Sequence, residues 1–188
     1  MIDKLKKYET IGACGIDCGL CPRFYTKGNS ICPGCGGLNF KEKHPPCGTL
    51  TCCLRRGFET CGECADFPCS RYKSESENLD SFVTHKRMIS NLEYIKKNGI
   101  EQFIAKQKVR IDILTDFLTN YDGGKARTFF CQTCALLPID KLREIQSKAK
   151  NTIANTELKA KINLIRVKIT EIAGLINIDL KLNKKTKK

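Results

Sequence analysis

Three segments decide the fold: GACGIDCGLCPRF (residues 12–24), CPGCGG (32–37) and CGECADFPC (61–69). Eleven of the chain's 13 cysteines lie within residues 14–69, and residues 11–70 hold ten of its 14 glycines and five of its six prolines. A segment of this composition buries little apolar surface, so a fold of this size needs a covalent or metal staple. We expect the cysteines to supply that staple.

Disulfide bonds are a poor explanation for these cysteines. Residues 1–12 contain lysines but no apolar stretch of signal-peptide length. No apolar run approaches the roughly 18 to 20 residues that span a bilayer. We therefore expect a soluble, globular, cytoplasmic protein without a membrane partner, whose thiols remain reduced.

Two Cys-x-x-Cys pairs indicate metal knuckles. Cys32 and Cys35 enclose Pro-Gly and are followed by two glycines, and Cys61 and Cys64 enclose Gly-Glu. A tight glycine turn points both sulfurs of such a pair toward one ion. Four thiolates fit either tetrahedral Zn²⁺ or an iron–sulfur cluster, so the spacing leaves the metal open.

The three segments, together with Cys47 and Cys52, resemble the bacterial and archaeal family called domain of unknown function 3795 over about residues 11–72. Residues 128–145, TFFCQTCALLPIDKLREI, and 173–182, AGLINIDLKL, are similar to the extra C-terminal region of its longer members. The resemblance implies a cysteine-rich metal fold and no particular reaction. Carried over position by position, the metal-type cysteines are Cys14, Cys18, Cys21, Cys32, Cys35, Cys47, Cys52, Cys61, Cys64 and Cys69.

Ten thiols allow two four-ligand sites, so we predict about two zinc ions per chain, with a [4Fe–4S] cluster as the alternative. The favoured arrangement joins the two knuckle pairs in one site, and a crossed arrangement remains open. Cys53 is interpreted as an extra thiol. His44 precedes Pro-Pro-Cys47 and is a further candidate ligand.

Two other cysteine motifs have competing interpretations. The Cys14-x3-Cys18-x2-Cys21 spacing also occurs in radical enzymes that use S-adenosylmethionine, but no train of strands and helices follows to build their barrel. Cys131-x-x-Cys134 is either a redox dithiol at a helix N-terminus or a segment packed into a helical core. For Cys131-x-x-Cys134 we favour packing into a helical core.

After residue 70 the composition shifts toward Lys, Ile, Leu and Asn, and apolar residues recur at helical spacing. We predict helices over 79–97, over 100–118 in one or two pieces, over 138–148, and over 156–174 with Thr156 as N-cap and Gly174 as stop. Apolar and polar residues then alternate over 176–182, which favours a short final strand.

The predicted fold class is small α+β. It comprises an irregular cysteine-rich metal-knuckle domain at 11–72, a mostly α-helical domain at 78–182 with one short terminal strand, and a basic tail at 183–188. The net charge is +13, of which +11 belongs to residues 71–188. Since 24 of the 33 basic residues are Lys and Trp is absent, the charge supports only weak nucleic-acid binding through phosphates.

Catalytic motifs are missing from the sequence. It contains no Gly-x-Ser-x-Gly elbow, phosphate-binding Gly-x4-Gly-Lys loop, His-Glu-x-x-His or deaminase signature. Asp17 and Glu63 are expected to face solvent or accept backbone N–H bonds rather than act as acid or base. We therefore favour a non-enzymatic structural zinc module that presents a surface to a macromolecular partner. The alternatives are an iron–sulfur protein for electron transfer or redox sensing in anaerobic metabolism, and thiol-based metal storage or trafficking.

Overall fold

The structure is a computed structural model that describes residues 4–72, 79–152 and 157–184. Its regular elements are helices, and no residue within these ranges forms a strand or a sheet. The predicted α+β class is therefore wrong, whereas the mainly helical C-terminal region is confirmed. None of the helices in the described ranges is long and apolar enough to cross a membrane.

Two compact units divide the chain. The first consists of Met1–Gln107 with Leu182–Lys188, and the second of Lys108–Lys181. The division falls inside a long helix, α4 (Ile100–Tyr121). The predicted domain limits stay a prediction.

Short helical turns dominate residues 4–72 of the first unit. The two α-helices are α1 (Phe40–Lys43) and α2 (Gly48–Arg55). Single 3-10 turns lie at Cys18–Leu20, Pro22–Tyr25, Gly28–Ser30, Cys61–Glu63 and Ser70–Tyr72. Such turns contribute few repeating backbone hydrogen bonds, so side chains must do much of the work of holding this segment together.

Helix α3 (Met88–Asn98) supplies apolar surface to the first unit and ends before Gly99 (φ 85°), as predicted. An ideal Cβ on Gly62 would lie 2.6 Å from the Leu92 carbonyl oxygen, so only glycine permits this close approach of a cysteine turn to α3. The apolar cluster that contains Leu92 is formed by Ala13, Phe40, Leu50, Cys53, Cys61, Phe67 and Leu92.

The helix predicted over 79–97 begins only at Met88. Asp80 explains the difference, because its Oδ1 accepts the His85 N–H and its Oδ2 accepts the Asn183 N–H at 2.7 Å. These two hydrogen bonds satisfy the Asp80 carboxylate in a turn. A helix over the same residues would break this turn. Asn183 was placed in the basic tail, of which residues 185–188 lie outside the described residues.

Helices make up the second unit: the end of α4, α5 (Arg127–Leu136), α6 (Ile139–Thr152) and α7 (Leu158–Leu175). The helices predicted over 100–118 and 138–148 are confirmed as α4 and α6. The proposed N-cap of α7, Thr156, lies outside the described residues. Side chains with less than 2% exposure fill the core, namely Leu114, Phe117, Phe130, Leu137, Leu142, Ile145 and Ile169.

The predicted terminal strand over 176–182 is wrong, and so is the stop at Gly174. Helix α7 continues to Leu175, and Asn177 adopts the left-handed conformation (φ 54°) that asparagine tolerates well. The Asn177 N–H donates to Gly174 O at 3.1 Å, and the Ile178 N–H donates to Ala173 O at 2.9 Å. These two bonds form a Schellman cap, so the alternating residues follow a helix end instead of joining a sheet.

Candidate metal centre

All 13 cysteines are free thiols. The ten predicted ligands lie in the first unit, where Cys18 and Cys61 each begin a 3-10 turn, Cys47 is the N-cap residue of α2 and Cys52 lies within α2. Cys61 is buried and the other nine are half-buried.

The glycine turn predicted between Cys32 and Cys35 is present. Gly34 has φ 78°, and an ideal Cβ there would lie 2.3 Å from Glu9 O. The Cys35 N–H donates to Glu9 O at 2.9 Å, and the Cys35 Sγ accepts the Ala13 N–H at 3.4 Å. Backbone N–H groups pointed at a sulfur stabilise its thiolate.

Ala13 also connects this turn to the second knuckle, because its carbonyl accepts the Cys61 N–H at 2.9 Å. The Cys32 N–H donates to Arg23 O at 2.9 Å, which brings Cys32 beside the Cys21 turn. The backbone thus gathers thiols that are distant in sequence.

We call Cys14, Cys18, Cys35 and Cys47 the central thiol group, because at least one other member raises the pKa of each of the first three; Cys21 and Cys32 also contribute, to Cys18 and Cys35. Burial is the main reason that the pKa of Cys14 rises to about 12, and the thiols of Cys35 and Cys47 add to it. Burial likewise raises the pKa of Cys18 well above its ordinary value, followed by the effects of Cys35 and Cys14. Without a compensating cation, the thiols of Cys14 and Cys18 would stay protonated.

Cys53 and Cys61 form a second contact, with their Sγ atoms 3.6 Å apart. Their hydrogen bond is the main cause that lowers the pKa of Cys61 to about 6 and raises the pKa of Cys53. Cys53 was interpreted as an extra thiol, and it contacts a predicted ligand. Nearer the surface, Arg56 Nη1 donates to the Cys64 Sγ at 3.0 Å.

Lys6 is a buried cation that the sequence analysis missed. Its side chain is 3% exposed, and its Nζ donates to Ile11 O at 2.6 Å. Within the described ranges it forms no ion pair with a carboxylate. Burial raises the pKa of Cys35, and the Lys6 charge is the largest opposing effect. A lysine near the N-terminus is normally exposed. The burial of Lys6 is seen only in the structure, where its side chain packs against glycine-rich turns.

Asp17 lies inside the first cysteine motif but does not face solvent. It is 5% exposed, and its Oδ2 and Oδ1 accept amide hydrogen bonds from Asn91 Nδ2 and Gln107 Nε2, both at 2.9 Å. The expectation for Asp17 was wrong because the partners are 74 and 90 residues away. The expectation for Glu63 is confirmed, since its Oε2 accepts the Thr60 N–H at 2.7 Å.

The remaining candidates lie outside these groups. His44 is exposed, with its Nδ1 3.1 Å from Pro45 O and its ring stacked on Phe40. Cys131 and Cys134 are 1% and 0% exposed in the middle of α5, and burial raises the pKa of Cys134. Their position agrees with core packing and not with a redox dithiol at a helix N-terminus.

No three or more His, Cys, Asp or Glu side chains adopt the arrangement of a metal site within residues 4–72, 79–152 and 157–184. The donor chemistry nevertheless suits a soft cation, because the candidate donors are thiols, and the charge of the buried Lys6 acts on one of them, Cys35. The first unit is thus a turn-built, cysteine-rich domain with a buried polar interior.

Residues 10–74 match the model of the family described as protein of unknown function (DUF3795), which confirms the resemblance drawn from the cysteine motifs. No curated protein and no solved structure matches the chain.

Proposed function

We propose that the cysteine-rich segment is a structural zinc module that works in a reducing compartment, the cytoplasm. In this proposal the central thiol group would supply four thiolate ligands to one ion. The second set would come from the other predicted ligands, namely Cys21, Cys32, Cys52, Cys61, Cys64 and Cys69. This grouping is a crossed arrangement, because it separates Cys35 from Cys32 and joins it with Cys47, whose thiol contributes more than that of Cys32 to the raised pKa of Cys35.

Burial of Lys6 is the observation that carries the proposal. A buried ammonium without a carboxylate is costly unless another negative charge compensates it. The groups whose pKa values its charge lowers include Cys18, Cys35 and Cys61. Four thiolates around a divalent cation carry a net charge of about −2, which matches the sign that Lys6 needs.

A structural role follows from the elements that the thiols join. Glycine turns and two short helices bury too little apolar surface to hold residues 4–72 together alone. A bound zinc ion would link turns from opposite ends of this segment, and the fold would depend on it. The rigid turns would then present a surface to a macromolecular partner, with no catalytic step.

Elemental analysis, with an absorption spectrum of the full chain purified without oxygen, tests the metal. We expect about two zinc ions per chain and no visible chromophore. Iron with acid-labile sulfide and a brown colour would contradict the zinc assignment and favour the iron–sulfur alternative.

Paired substitutions test the site. Cys18→Ala with Cys35→Ala should remove about one zinc ion per chain, because both thiols belong to one four-thiolate set. The matched control is Cys131→Ala with Cys134→Ala, which removes two buried thiols from α5 and should leave the zinc content unchanged. Equal metal loss in the two variants would contradict the assignment.

A further inference from the structure

The second unit contains a groove that the metal proposal does not use. Its cavity volume is about 560 Å³, within the range of small-molecule sites. The walls come from α5, from α7 and from residues 178–181. They are formed by Lys125, Thr128, Phe129, Gln132, Arg166, Thr170, Ala173, Gly174, Ile178, Asp179, Leu180 and Lys181.

The groove has a positive lining. Lys125, Arg166 and Lys181 line it against one carboxylate, Asp179. Neither Lys125 nor Arg166 forms an ion pair with any residue that the structure describes. Basic groups without an ion pair in a concave site, here Lys125 and Arg166, attract an anion, and a guanidinium suits phosphate in particular.

A planar surface adjoins the positive charge. The Arg166 guanidinium lies 4.8 Å from the ring centroid of Phe129, and both side chains line the groove. Arginine stacked on an aromatic ring keeps its edge N–H groups available, and the stack offers a flat surface to another ring.

Gln132 is the feature that points most directly to a ligand. Its side chain is 7% exposed, it lines the groove, and it makes no hydrogen bond to any described residue. The buried side-chain polar atoms without a partner in the described residues belong to Tyr72 and Gln107, so the unbonded amide of Gln132 is accessible to a ligand in the groove. An amide can pair with a ring edge that offers both a donor and an acceptor.

Residues 178–181, which follow α7, shape the groove. The Schellman cap at Asn177 turns residues 178–181 away from α7, where they form the third wall. Gly174 contributes no side chain, and an ideal Cβ at this position meets no atom within 4 Å. A larger side chain at position 174 would therefore fit without a clash and would fill part of the groove.

From these observations we propose that this groove binds a nucleoside monophosphate. Arg166 and Lys125 hold the phosphate, the base stacks against the Phe129–Arg166 surface, and the Gln132 amide pairs with the edge of the base. The proposal is independent of the zinc module, because every residue that it uses lies in Lys108–Lys181.

Isothermal titration calorimetry of the full chain tests the proposal with the 5′-monophosphates of adenosine, guanosine, cytidine and uridine. Inorganic phosphate and the four nucleosides serve as separate probes. We expect one monophosphate to bind with one ligand per chain, at least about tenfold more tightly than phosphate or its own nucleoside, because each of these makes half of the contacts. Failure of all four monophosphates to bind would overturn the proposal, as would equal affinity for phosphate alone.

Matched variants locate the binding. Arg166→Gln should weaken binding about tenfold or more, whereas Lys159→Gln removes the same charge from an exposed position of α7 outside the groove and should change it less than about twofold. Gly174→Phe should abolish binding, and Gly174→Ala should not. Gln132→Met should weaken binding of the monophosphate and leave binding of phosphate unchanged. Circular dichroism melts would verify that each variant folds. Unchanged affinity in both folded Arg166→Gln and Gly174→Phe variants would overturn the proposed site.

Discussion

The two units of this protein differ in what fills their interiors. In Lys108–Lys181, the most buried side chains are large and apolar, and Phe117 and Phe130 pack with ring centroids 5.3 Å apart. In the first unit, the buried set also includes Lys6, Asp17 and Asn91, and most of the thiols are half-buried. Apolar burial stabilises the second unit without further groups, whereas buried polar groups stabilise the first only when each has a partner.

This difference teaches that the two units should respond to different perturbations. Loss of apolar contact should weaken the second unit, and loss of a cation partner for the thiols should weaken the first. The following predictions test that contrast.

Removal of metal should have the largest effect. A zinc chelator, combined with a reagent that blocks the released thiols, should abolish protection from hydrogen exchange over residues 4–72, because metal binding and folding are one equilibrium in such small domains. Peptides from α5 and the core-facing part of α6 should retain their protection. Mass spectrometry of the exchanged peptides measures both units in one sample. Unchanged protection over residues 4–72 would sink the structural-zinc interpretation.

Phe130→Ala tests the second unit. This side chain has 0% exposure, and its loss should lower the free energy of unfolding of that unit by about 3–5 kcal/mol. The zinc content should not change. Phe82→Ala is the control, since Phe82 is 61% exposed, and it should cost less than about 1 kcal/mol. Urea unfolding followed by hydrogen exchange of α5 peptides measures the loss of stability in both variants. Loss of zinc from Phe130→Ala would contradict the expectation that the two units respond to different perturbations.

Helices α4, α6 and α7 were predictable because their apolar residues repeat at helical spacing, whereas α5 was not predicted. The start of α3 and the terminal segment were not predictable. Asp80 is satisfied by Asn183, which is 103 residues away, and no local pattern reports such a bond. Alternation over 176–182 resembles a strand, but Asn177 caps α7 and the following residues line a groove.

For the candidate site, cysteine spacing located the turns but not the grouping of the thiols. The contact between Cys53 and Cys61 depends on how α2 packs, which the motif does not encode. Burial of Lys6 was equally hidden, because lysine is usually exposed. Gln132 did leave a signal: it is a long polar side chain within FFCQTCALL, a run otherwise rich in core residues.

The smallest effect is expected from a substitution of Lys6. Its direction distinguishes thiols that hold a metal as thiolates from thiols that are neutral. If the surrounding thiols hold a metal as thiolates, Lys6→Met removes a favourable charge, and zinc affinity should fall about 10- to 100-fold, as for other outer-shell changes. If the thiols are neutral, the same substitution removes the cost of burying an ammonium and should stabilise the unit. Methionine keeps most of the apolar stem that packs beside Gly36, so loss of packing is a minor effect.

Lys4→Met serves as the control, because the Lys4–Glu9 ion pair is partly exposed and such pairs contribute little. Competition with a chromogenic zinc chelator measures the affinity, and a Lys6→Met protein with unchanged zinc affinity and higher stability would contradict the thiolate account.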